Sequence, residues 1–164
     1  AYTDSKNERR GLILSADKST LFLDEIGELD YSLQSKLLLA VQDGLIRKIG
    51  SDKNLKIDVR FIFATNQDLK EKIQNKEFRK DLYYRINEMS VYIPPLRERK
   101  DDIEEIALNF LENQDTQITI TKSAIETLKN YSWPGNVREL QNVLLKASRK
   151  CKNKIITPAM LDFS

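Results

Sequence analysis

The chain has 164 residues, of which 40% are hydrophobic and 32% are charged, a composition typical of a soluble globular protein and not of a disordered one. The formal net charge of +2 argues against a surface that coats nucleic acid, and the absence of histidine excludes histidine triads and histidine metal sites. A single cysteine, Cys151, excludes an internal disulfide and fits a reducing compartment, so we expect a cytoplasmic protein.

The first residues of the chain are polar, and Ala1 is not preceded by an initiator methionine. This beginning predicts a piece of a longer protein, in which a targeting signal would not be visible. Residues 11–16, with the sequence Gly-Leu-Ile-Leu-Ser-Ala, predict a short helix that leads into the first strand.

A short apolar run at residues 20–23 is followed directly by two acids, Asp24 and Glu25. A run of this length predicts a strand buried on both faces of a parallel sheet. Ligands of open α/β sheets bind at the carboxyl ends of the strands, where these acids would lie. One carboxylate could hold a hydrated Mg²⁺ while the other polarises a water molecule. The alternative is a strand end at which two acids solvate a turn.

A helix is predicted after the acid pair. Asp30 is a suitable N-cap, and Leu33, Leu37 and Val41 recur at helical spacing. Gly44 is a natural end for this helix, because glycine readily adopts the left-handed conformation of a helix C-terminus.

Residues 45–49 and 56–64 are predicted to be extended, on either side of a turn at residues 50–54. The second segment is rich in β-branched and aromatic residues and ends in polar side chains that include Asn66. If its strand neighbours the first one, Asn66 lies beside the two acids and can hold a water molecule or a phosphate oxygen. The alternative is an asparagine that closes a turn.

Arg79 and Arg85 lie in a charged segment, residues 69–87, that also contains several aromatic residues. Six residues do not correspond to one helical face, so a single stripe of surface ion pairs explains the two arginines poorly. A rigidly held arginine near a phosphate stabilises charge during phosphoryl transfer and can be supplied by a neighbouring subunit. The alternative is a pair of solvated helix-surface arginines.

A domain boundary is predicted at Pro94 and Pro95, which interrupt the chain after a possible short strand at residues 89–93. An α/β part at residues 1–94 then precedes a small part of three or four helices at residues 95–164.

Three helices are predicted beyond the two prolines, each with a polar capping residue and one apolar face. The caps are Asp101, Thr121 and Asn136, and Asn136 forms a capping-box pattern with Glu139. The apolar faces comprise Ile103, Ile106, Ala107 and Phe110, then Ile125 and Leu128, then Val137, Leu140, Leu144 and Ala147.

The segment at residues 133–140 places Arg138 in the first turn of the last helix. Free backbone N–H groups at a helix N-terminus attract anions, and a lone cation is unfavourable there. Arg138 is therefore a candidate phosphate ligand, and the alternative is an ion pair with Glu139 or with an acid of the α/β part.

These motifs, in this order, resemble the AAA+ ATPase domain of bacterial sigma-54-dependent transcription activators, also called bacterial enhancer-binding proteins. The resemblance covers essentially the whole chain. Residues 20–30 are similar to the family's Walker B segment with Ser19 in place of its first glycine, residues 64–66 to sensor I, residues 78–87 to the arginine-finger segment, residues 94–99 to the linker, and residues 133–140 to sensor II.

The resemblance implies an α/β fold: the carboxyl-side part of an AAA+ P-loop NTPase core, with a parallel sheet and flanking helices, followed by a small all-α lid subdomain. It also implies ATP and Mg²⁺ as ligands, with Asp24 on the metal, Glu25 orienting the attacking water and Asn66 contacting the γ-phosphate. The arginines that reach the nucleotide of the next subunit of a hexameric ring would be Arg79 and Arg85, and the arginine that contacts the nucleotide of its own subunit would be Arg138.

The chain departs from the family pattern in two places. It contains no Gly-x-x-x-x-Gly-Lys-Ser/Thr motif, which in the family lies upstream of the residues present here. The family's sigma-54-contacting loop, Gly-Ala-Phe-Thr-Gly-Ala, aligns with residues 1–5, where Asp4 and Ser5 replace Gly and Ala. Aspartate adds charge and removes backbone freedom, which predicts weakened contact with sigma-54 RNA polymerase.

Two alternatives remain open at this stage. The chain could be a degenerate AAA+ oligomerisation or regulatory module, or part of an AAA+ regulator that does not engage sigma-54 because of Asp4 and Ser5. In either case, contact with promoter or enhancer DNA, and any response-regulator function of a two-component system, would belong to domains outside this sequence.

Overall fold

The structure is a computed structural model that describes residues 11–47, 53–114, 117–151 and 153–163. It divides into two compact units, the first ending at Val91 and the second beginning at Tyr92. The sequence predicts the boundary slightly later, between residues 94 and 95. The predicted loop at residues 1–5, and residues 50–52 of the predicted turn, lie outside the described residues.

The first unit is an α/β structure, as predicted. Its elements are α1 (Leu12–Ser15), β1 (Ser19–Leu23), a 3-10 turn (Ile26–Glu28), α2 (Tyr31–Asp43), β2 (Leu45–Arg47), β3 (Asn54–Lys56), β4 (Val59–Phe63), α3 (Leu69–Gln74) and α4 (Lys80–Ile86).

Strands β1 and β4 are parallel neighbours, in a register that pairs Leu23 with Phe63. Leu23 and Phe63 pack with the apolar cluster below the sheet, but Phe22 on the opposite face is 57% exposed. The prediction of a strand buried on both faces is therefore wrong. The physical reason is that no described residue covers the face formed by Phe22 and its partner Ile62.

Helix α2 begins after Asp30 and ends at Gly44, whose φ of +62° is the left-handed value expected of this glycine. Asp30 occupies the N-cap position without a capping side-chain hydrogen bond. The buried residues of the helix include Leu37, as predicted, but Leu33 is 40% exposed. Gln34 is buried in place of Leu33, whereas Leu37 and Val41 keep the inward positions predicted for them.

The predicted strand at residues 56–64 is divided into β3 and β4. Strand β3 pairs with β2 as an antiparallel hairpin, whereas β4 pairs with β1. Between them the backbone changes partners: Ile57 N donates to Gly44 O at 2.8 Å, and Asp58 N donates to the Asp17 carboxylate at 2.8 Å.

The predicted strand at residues 89–93 does not form. The apolar side chains of this segment, at Met89, Val91, Tyr92 and Ile93, are 72–88% exposed, and none of the described strands pairs with the segment. A strand requires a hydrogen-bonding neighbour, which the described residues do not provide here.

The second unit is mainly helical and has its own apolar core. Its elements are a 3-10 turn (Leu96–Glu98), α5 (Asp102–Asn113), β5 (Thr119–Ile120), α6 (Lys122–Asn130), α7 (Asn136–Lys150), β6 (Ile155–Ile156) and a 3-10 turn (Pro158–Met160). The predicted apolar faces are confirmed, since all of their residues are buried or half-buried in this unit. The prediction of purely helical structure is wrong for β5 and β6, which form a short parallel pair.

The helix caps of this unit follow the sequence only in part. The Thr121 hydroxyl accepts a hydrogen bond from Ala124 N at 3.2 Å, as predicted. Asp101 occupies an N-cap position but its side chain makes no capping bond. The capping box is wrong, because the Asn136 amide oxygen accepts from Leu96 N at 2.9 Å and Glu139 accepts from Gly135 N at 2.7 Å. A backbone donor 40 residues away thus competes for the asparagine.

Trp133 is fully buried, and its indole N–H donates to Leu128 O at 2.7 Å. We expect Trp133→Ala to lower the free energy of unfolding of the second unit by about 3–5 kcal/mol, because a large buried ring is replaced by a cavity. Denaturant titration followed by circular dichroism measures this loss. Tyr92→Ala, at a residue 80% exposed, is the control and should change stability by less than about 0.5 kcal/mol. Equal effects of the two changes would contradict the assignment of this core.

Candidate functional site

The carboxyl ends of β1 and β4 are tied together by two backbone hydrogen bonds. Ala64 N donates to Leu23 O, and Ile26 N donates to Ala64 O, each at 2.9 Å. Asp24 and Glu25 therefore lie at the same sheet edge as Asn66, and all three are exposed. The structure brings the predicted acids and the predicted amide to one solvent-facing edge.

Glu25 has a left-handed backbone conformation, with φ of 52° and ψ of 43°. This conformation is uncommon for a residue with a side chain, and such residues cluster at functional sites. The residues that follow, Ile26 and Gly27, are buried and anchor the turn, while the Asp24 carboxylate accepts a hydrogen bond from Glu25 N at 2.9 Å. The buried residues Ile26 and Gly27 thus fix the turn, and both acids remain accessible from solvent.

Gly27 permits close packing between this turn and the end of β4. A Cβ atom at Gly27 would lie 2.6 Å from Gln67 Oε1 and 2.9 Å from Thr65 Oγ1. Gln67 also donates to the Glu28 carboxylate, so the two strand ends are joined by side chains as well as by backbone. Gln67 Oε1 itself is buried and has no hydrogen-bond partner among the described residues.

We expect Gly27→Ala to displace the acid-bearing turn and to lower the free energy of unfolding of the first unit by about 1–3 kcal/mol, since an added methyl group in a tightly packed position strains its neighbours. Gln67→Ala in the same chain removes the nearest obstructing atom and should restore part of this stability. Gly11→Ala is the matched control, because no atom of the described residues lies within 4 Å of a Cβ placed there. Denaturant titration provides the measurement, and equal stability of the two glycine variants would contradict this packing argument.

The donor atoms at the sheet edge suit a hard divalent cation. Asp24 and Glu25 offer carboxylate oxygens, and Asn66 offers an amide oxygen or an N–H donor. Mg²⁺ is commonly held by one or two carboxylates with water and phosphate completing its coordination. The residues present therefore fit a hydrated Mg²⁺ ion, with Asp24 as the candidate protein ligand.

Arg79 precedes α4 and forms a two-point ion pair with Asp81. Its Nε and Nη2 atoms lie 3.0 and 2.7 Å from the two carboxylate oxygens. The hydrogen bond from Arg79 lowers the pKa of Asp81, and the same bond raises the pKa of the arginine. The guanidinium carbon also lies 5.9 Å from the centroid of the Tyr31 ring. Arg79 is therefore held in a defined position while its side chain remains 32% exposed.

Arg85 lies in the last turn of α4 and pairs with Glu88 at 3.1 Å, with 44% of its side chain exposed. Both arginines thus make local ion pairs, which is the arrangement of the surface alternative. The described contacts do not place either arginine against the acid-bearing sheet edge of its own unit, so the roles of Arg79 and Arg85 stay predictions.

Arg138 is the third residue of α7 and is exposed, in agreement with its predicted place in the first turn of this helix. Glu139, the predicted ion-pair alternative, uses its carboxylate to accept from Gly135 N. Arg138 belongs to the second unit, so its role toward a nucleotide stays a prediction.

Two polar residues that the sequence did not single out connect the acid-bearing turn with the arginine segment. Gln34 is fully buried and hydrogen-bonded to both segments, and Lys72 donates to Gly27 O at 2.8 Å. A glutamine between Leu33 and Leu37 resembles a surface residue of an amphipathic helix. The connecting role of Gln34 becomes apparent only from its burial in the folded chain.

Comparison with known structures defines the class as AAA+. NtrX from Brucella abortus in complex with ATP superposes with a TM-score of 0.80 at 30% identity, covering 93% of this chain and 38% of that one. A RuvB mutant from Thermotoga maritima shares the fold, with a TM-score of 0.58 at 19% identity over 87% of this chain and 42% of that one. Residues 97–164 match the AAA+ ATPase lid domain.

Residues 1–92 match the sigma-54 interaction domain. The match extends over more than half of the sequence, and the chain belongs to the sigma-54 interaction domain family. The resemblance drawn from the sequence motifs is thereby confirmed, as is the predicted fold of a partial AAA+ core with a helical lid.

Curated relatives of this chain are regulatory proteins. A Nif-specific regulatory protein of Herbaspirillum seropedicae is 42% identical over 162 residues, which are 96% of this chain and 30% of the relative. The regulatory protein LuxO of Vibrio cholerae is 43% identical over 166 residues, covering 98% of this chain and 36% of the relative. The chain therefore spans about a third of the length of these relatives.

Proposed function

We propose that this chain is the carboxyl-side part of the ATP-hydrolysing domain of a sigma-54-dependent transcription activator. Family membership and the regulatory relatives support the proposal. The observation that carries it is the sheet edge, where a left-handed Glu25 presents a carboxylate beside Asp24 and Asn66 at the ends of two parallel strands.

The chemistry proposed for this edge is ATP hydrolysis. Bound Mg²⁺ would neutralise charge on the phosphates, and Asp24 is the residue that would hold it. Glu25 accepts a hydrogen bond from the attacking water and so orients it. Asn66 donates its side-chain N–H to an oxygen of the terminal phosphate, and the buried turn beneath the acids keeps this geometry fixed.

Cations are needed to stabilise the negative charge on the transferred phosphoryl group, and the two acids do not provide them. We propose that Arg79 and Arg85 supply them to the nucleotide of the next subunit of a hexameric ring, and that Arg138 contacts the nucleotide of its own subunit. Head-to-tail contacts between identical subunits close into such rings when the rotation permits. Arg85 and Arg138 are exposed and the half-buried Arg79 side chain is 32% exposed, which is compatible with these roles.

We propose that the loop whose backbone N–H groups bind the phosphates lies outside this sequence. The 164 residues contain no Gly-x-x-x-x-Gly-Lys-Ser/Thr motif, and the chain spans about a third of its relatives. The similar NtrX structure is described as a complex with ATP. Nucleotide binding by this chain would accordingly depend on a preceding phosphate loop in the same protein.

The macromolecular partner proposed is sigma-54 RNA polymerase, in the cytoplasm. The segment that would contact it, residues 1–5, lies outside the described residues, and its Asp4 and Ser5 are the reason to expect weakened engagement. Contact with promoter or enhancer DNA would come from other domains. None of the helices in the described part of the chain combines the length and apolarity that crossing a membrane requires.

We expect the 164-residue chain alone to hydrolyse ATP at least about 10²-fold more slowly than a version extended upstream, because a phosphate-binding loop positions the nucleotide. A coupled assay for released phosphate measures both. If the 164-residue chain hydrolysed ATP robustly and Glu25→Gln abolished that activity, the proposal that part of the site lies outside these residues would be wrong. An extended protein that assembles but neither binds nor hydrolyses ATP would favour a non-enzymatic oligomerisation module.

A further inference from the structure

Among the described residues, Gln34 is the one polar residue whose side chain is fully buried. Its amide makes three hydrogen bonds to backbone groups. The Nε2 atom donates to Leu29 O at 2.8 Å and to Glu77 O at 2.9 Å, and the Oε1 atom accepts from Arg79 N at 2.8 Å. Both donor hydrogens and one acceptor lone pair are thereby used inside the protein.

The three partners belong to two segments that are distant in sequence. Leu29 directly follows the 3-10 turn behind the acid pair, while Glu77 and Arg79 flank Phe78 before α4. Phe78 is buried in the same apolar cluster as Ile26 and Leu37. One side chain of α2 therefore ties the turn below Glu25 to the backbone of the candidate arginine.

Lys72 makes a second connection between the same segments. Its Nζ atom donates to Gly27 O at 2.8 Å and lies 3.5 Å from the Glu77 carboxylate. The lysine side chain is 19% exposed, so solvent screens this link more than it screens the fully buried glutamine. The two links reach the acid-bearing turn two residues apart, at Gly27 and Leu29, and both contact Glu77 of the arginine segment.

From these contacts we infer that Gln34 is a positioning residue, which fixes the backbone of Arg79 relative to the acid-bearing turn. The inference rests on the proposed role of Arg79 in hydrolysis by the neighbouring subunit. Gln34 fixes the backbone of the arginine, and Asp81 fixes its guanidinium. The arginine is consequently presented from a rigid support, which is the condition for effective stabilisation of phosphoryl-transfer charge.

The physical reason for a buried amide is its double function as donor and acceptor. A methionine of similar length keeps the packing but leaves two backbone carbonyls and one backbone N–H without their partner. We expect Gln34→Met in the full-length protein to lower ATP turnover by about 10²-fold while ATP binding is retained, since the arginine segment loses its fixed position. Gln42→Met, on an exposed position of the same helix, is the matched control and should remain active.

Mixing purified full-length variants distinguishes a positioning role from a general structural one. Arg79→Ala subunits keep their own acid pair but lack one of the two proposed arginines, and Glu25→Gln subunits supply both arginines but lack the water-orienting carboxylate. If arginines act between subunits, mixed rings of these two variants regain turnover. This pair is the control for the proposed function itself: without complementation between them, the proposed function fails before Gln34 is considered.

Given complementation in the control pair, Gln34→Met is expected to behave as an arginine-deficient subunit. Mixed with Glu25→Gln it should regain turnover to about tenfold above the sum of the separate rates, and mixed with Arg79→Ala it should remain inactive. Recovery with Arg79→Ala, or recovery with neither variant, would overturn the inference while leaving the proposed function intact.

Gln34→Glu provides a second test of the inference, which applies even if Gln34→Met does not fold. A carboxylate at this position still accepts from Arg79 N but faces the carbonyls of Leu29 and Glu77, and only the protonated carboxyl can donate, to one of the two. The ratio of its activity to that of the unmodified protein should rise as the pH is lowered from about 8 to about 6. A ratio that does not change with pH would contradict the role assigned to the amide.

Discussion

Glu25→Gln should reduce ATP hydrolysis by the full-length protein by about 10³-fold while ATP binding is retained, because a neutral amide accepts a weaker hydrogen bond from the attacking water than a carboxylate and orients it less firmly. The substitution preserves the size of the side chain, and the backbone of the turn is held by the Ile26–Ala64 hydrogen bond, so folding should be unaffected. Phosphate release and binding of a fluorescent nucleotide measure the two properties separately.

The matched control for this change is Glu71→Gln, at an exposed carboxylate in the first turn of α3. It alters the net charge equally but lies outside the sheet edge, and its activity should stay close to that of the unmodified protein. If Glu25→Gln retained most of the turnover, Glu25 would not be the water-orienting residue, whatever the family of the chain.

Arg79→Ala should lower turnover by about 10³-fold or more, since an arginine that stabilises the transferred phosphoryl group contributes 10³ to 10⁵ in rate. ATP binding should change little, because the proposed contact is made to the nucleotide of another subunit. Arg79→Lys should be nearly as inactive, as an ammonium cannot reproduce the two-point geometry that the guanidinium shows toward Asp81. Initial rates measured at saturating ATP provide the test.

Arg149→Ala is the control for the arginine variants, because Arg149 is an exposed arginine in the last turn of α7. Its turnover should be unchanged. An Arg79→Ala protein with normal turnover would assign the arginine to the ion pair with Asp81 alone, and the loss of ATP binding together with turnover would place it in its own subunit's site.

Much of the site was predictable because parallel strands bring their carboxyl ends together. That rule predicted that Asp24 and Glu25 lie at the same sheet edge as Asn66 if the two strands are neighbours, and the pairing of β1 with β4 meets this condition. The left-handed conformation of Glu25 was not predictable, since it depends on the bond between Ile26 and Ala64, which is made only when β4 is in place.

The burial of Gln34 was missed because helical periodicity is read from apolar residues, and the favoured stripe contained Leu33. Three backbone partners from distant segments make the amide the better inward residue, and no local pattern encodes them. The displaced capping box has the same cause: Leu96 N competes for the Asn136 side chain from 40 residues away. Errors of this kind arise from tertiary contacts and not from local propensity.

The sheet edge also explains why the family likeness alone could not establish the site. Similar relatives and a similar fold place motifs in order, but function resides in the geometry of particular side chains. Here the acids are exposed, held by a buried turn and tied through Gln34 to the segment of Arg79. The proposed mechanism depends on this connected set of contacts.

Local cleavage by Fe²⁺ substituted for Mg²⁺ tests most directly whether the metal of bound ATP lies at this edge. With added ascorbate and hydrogen peroxide, Fe²⁺ reduces the peroxide to hydroxyl radicals that cut the nearest backbone, and Fe²⁺ accepts the oxygen ligands offered there. In the full-length protein with ATP, cuts are expected within residues 23–27 and 64–67, and Asp24→Asn should remove them. ATP-dependent cuts confined to other segments, such as β2 and β3, would contradict the assignment of the nucleotide to the ends of β1 and β4.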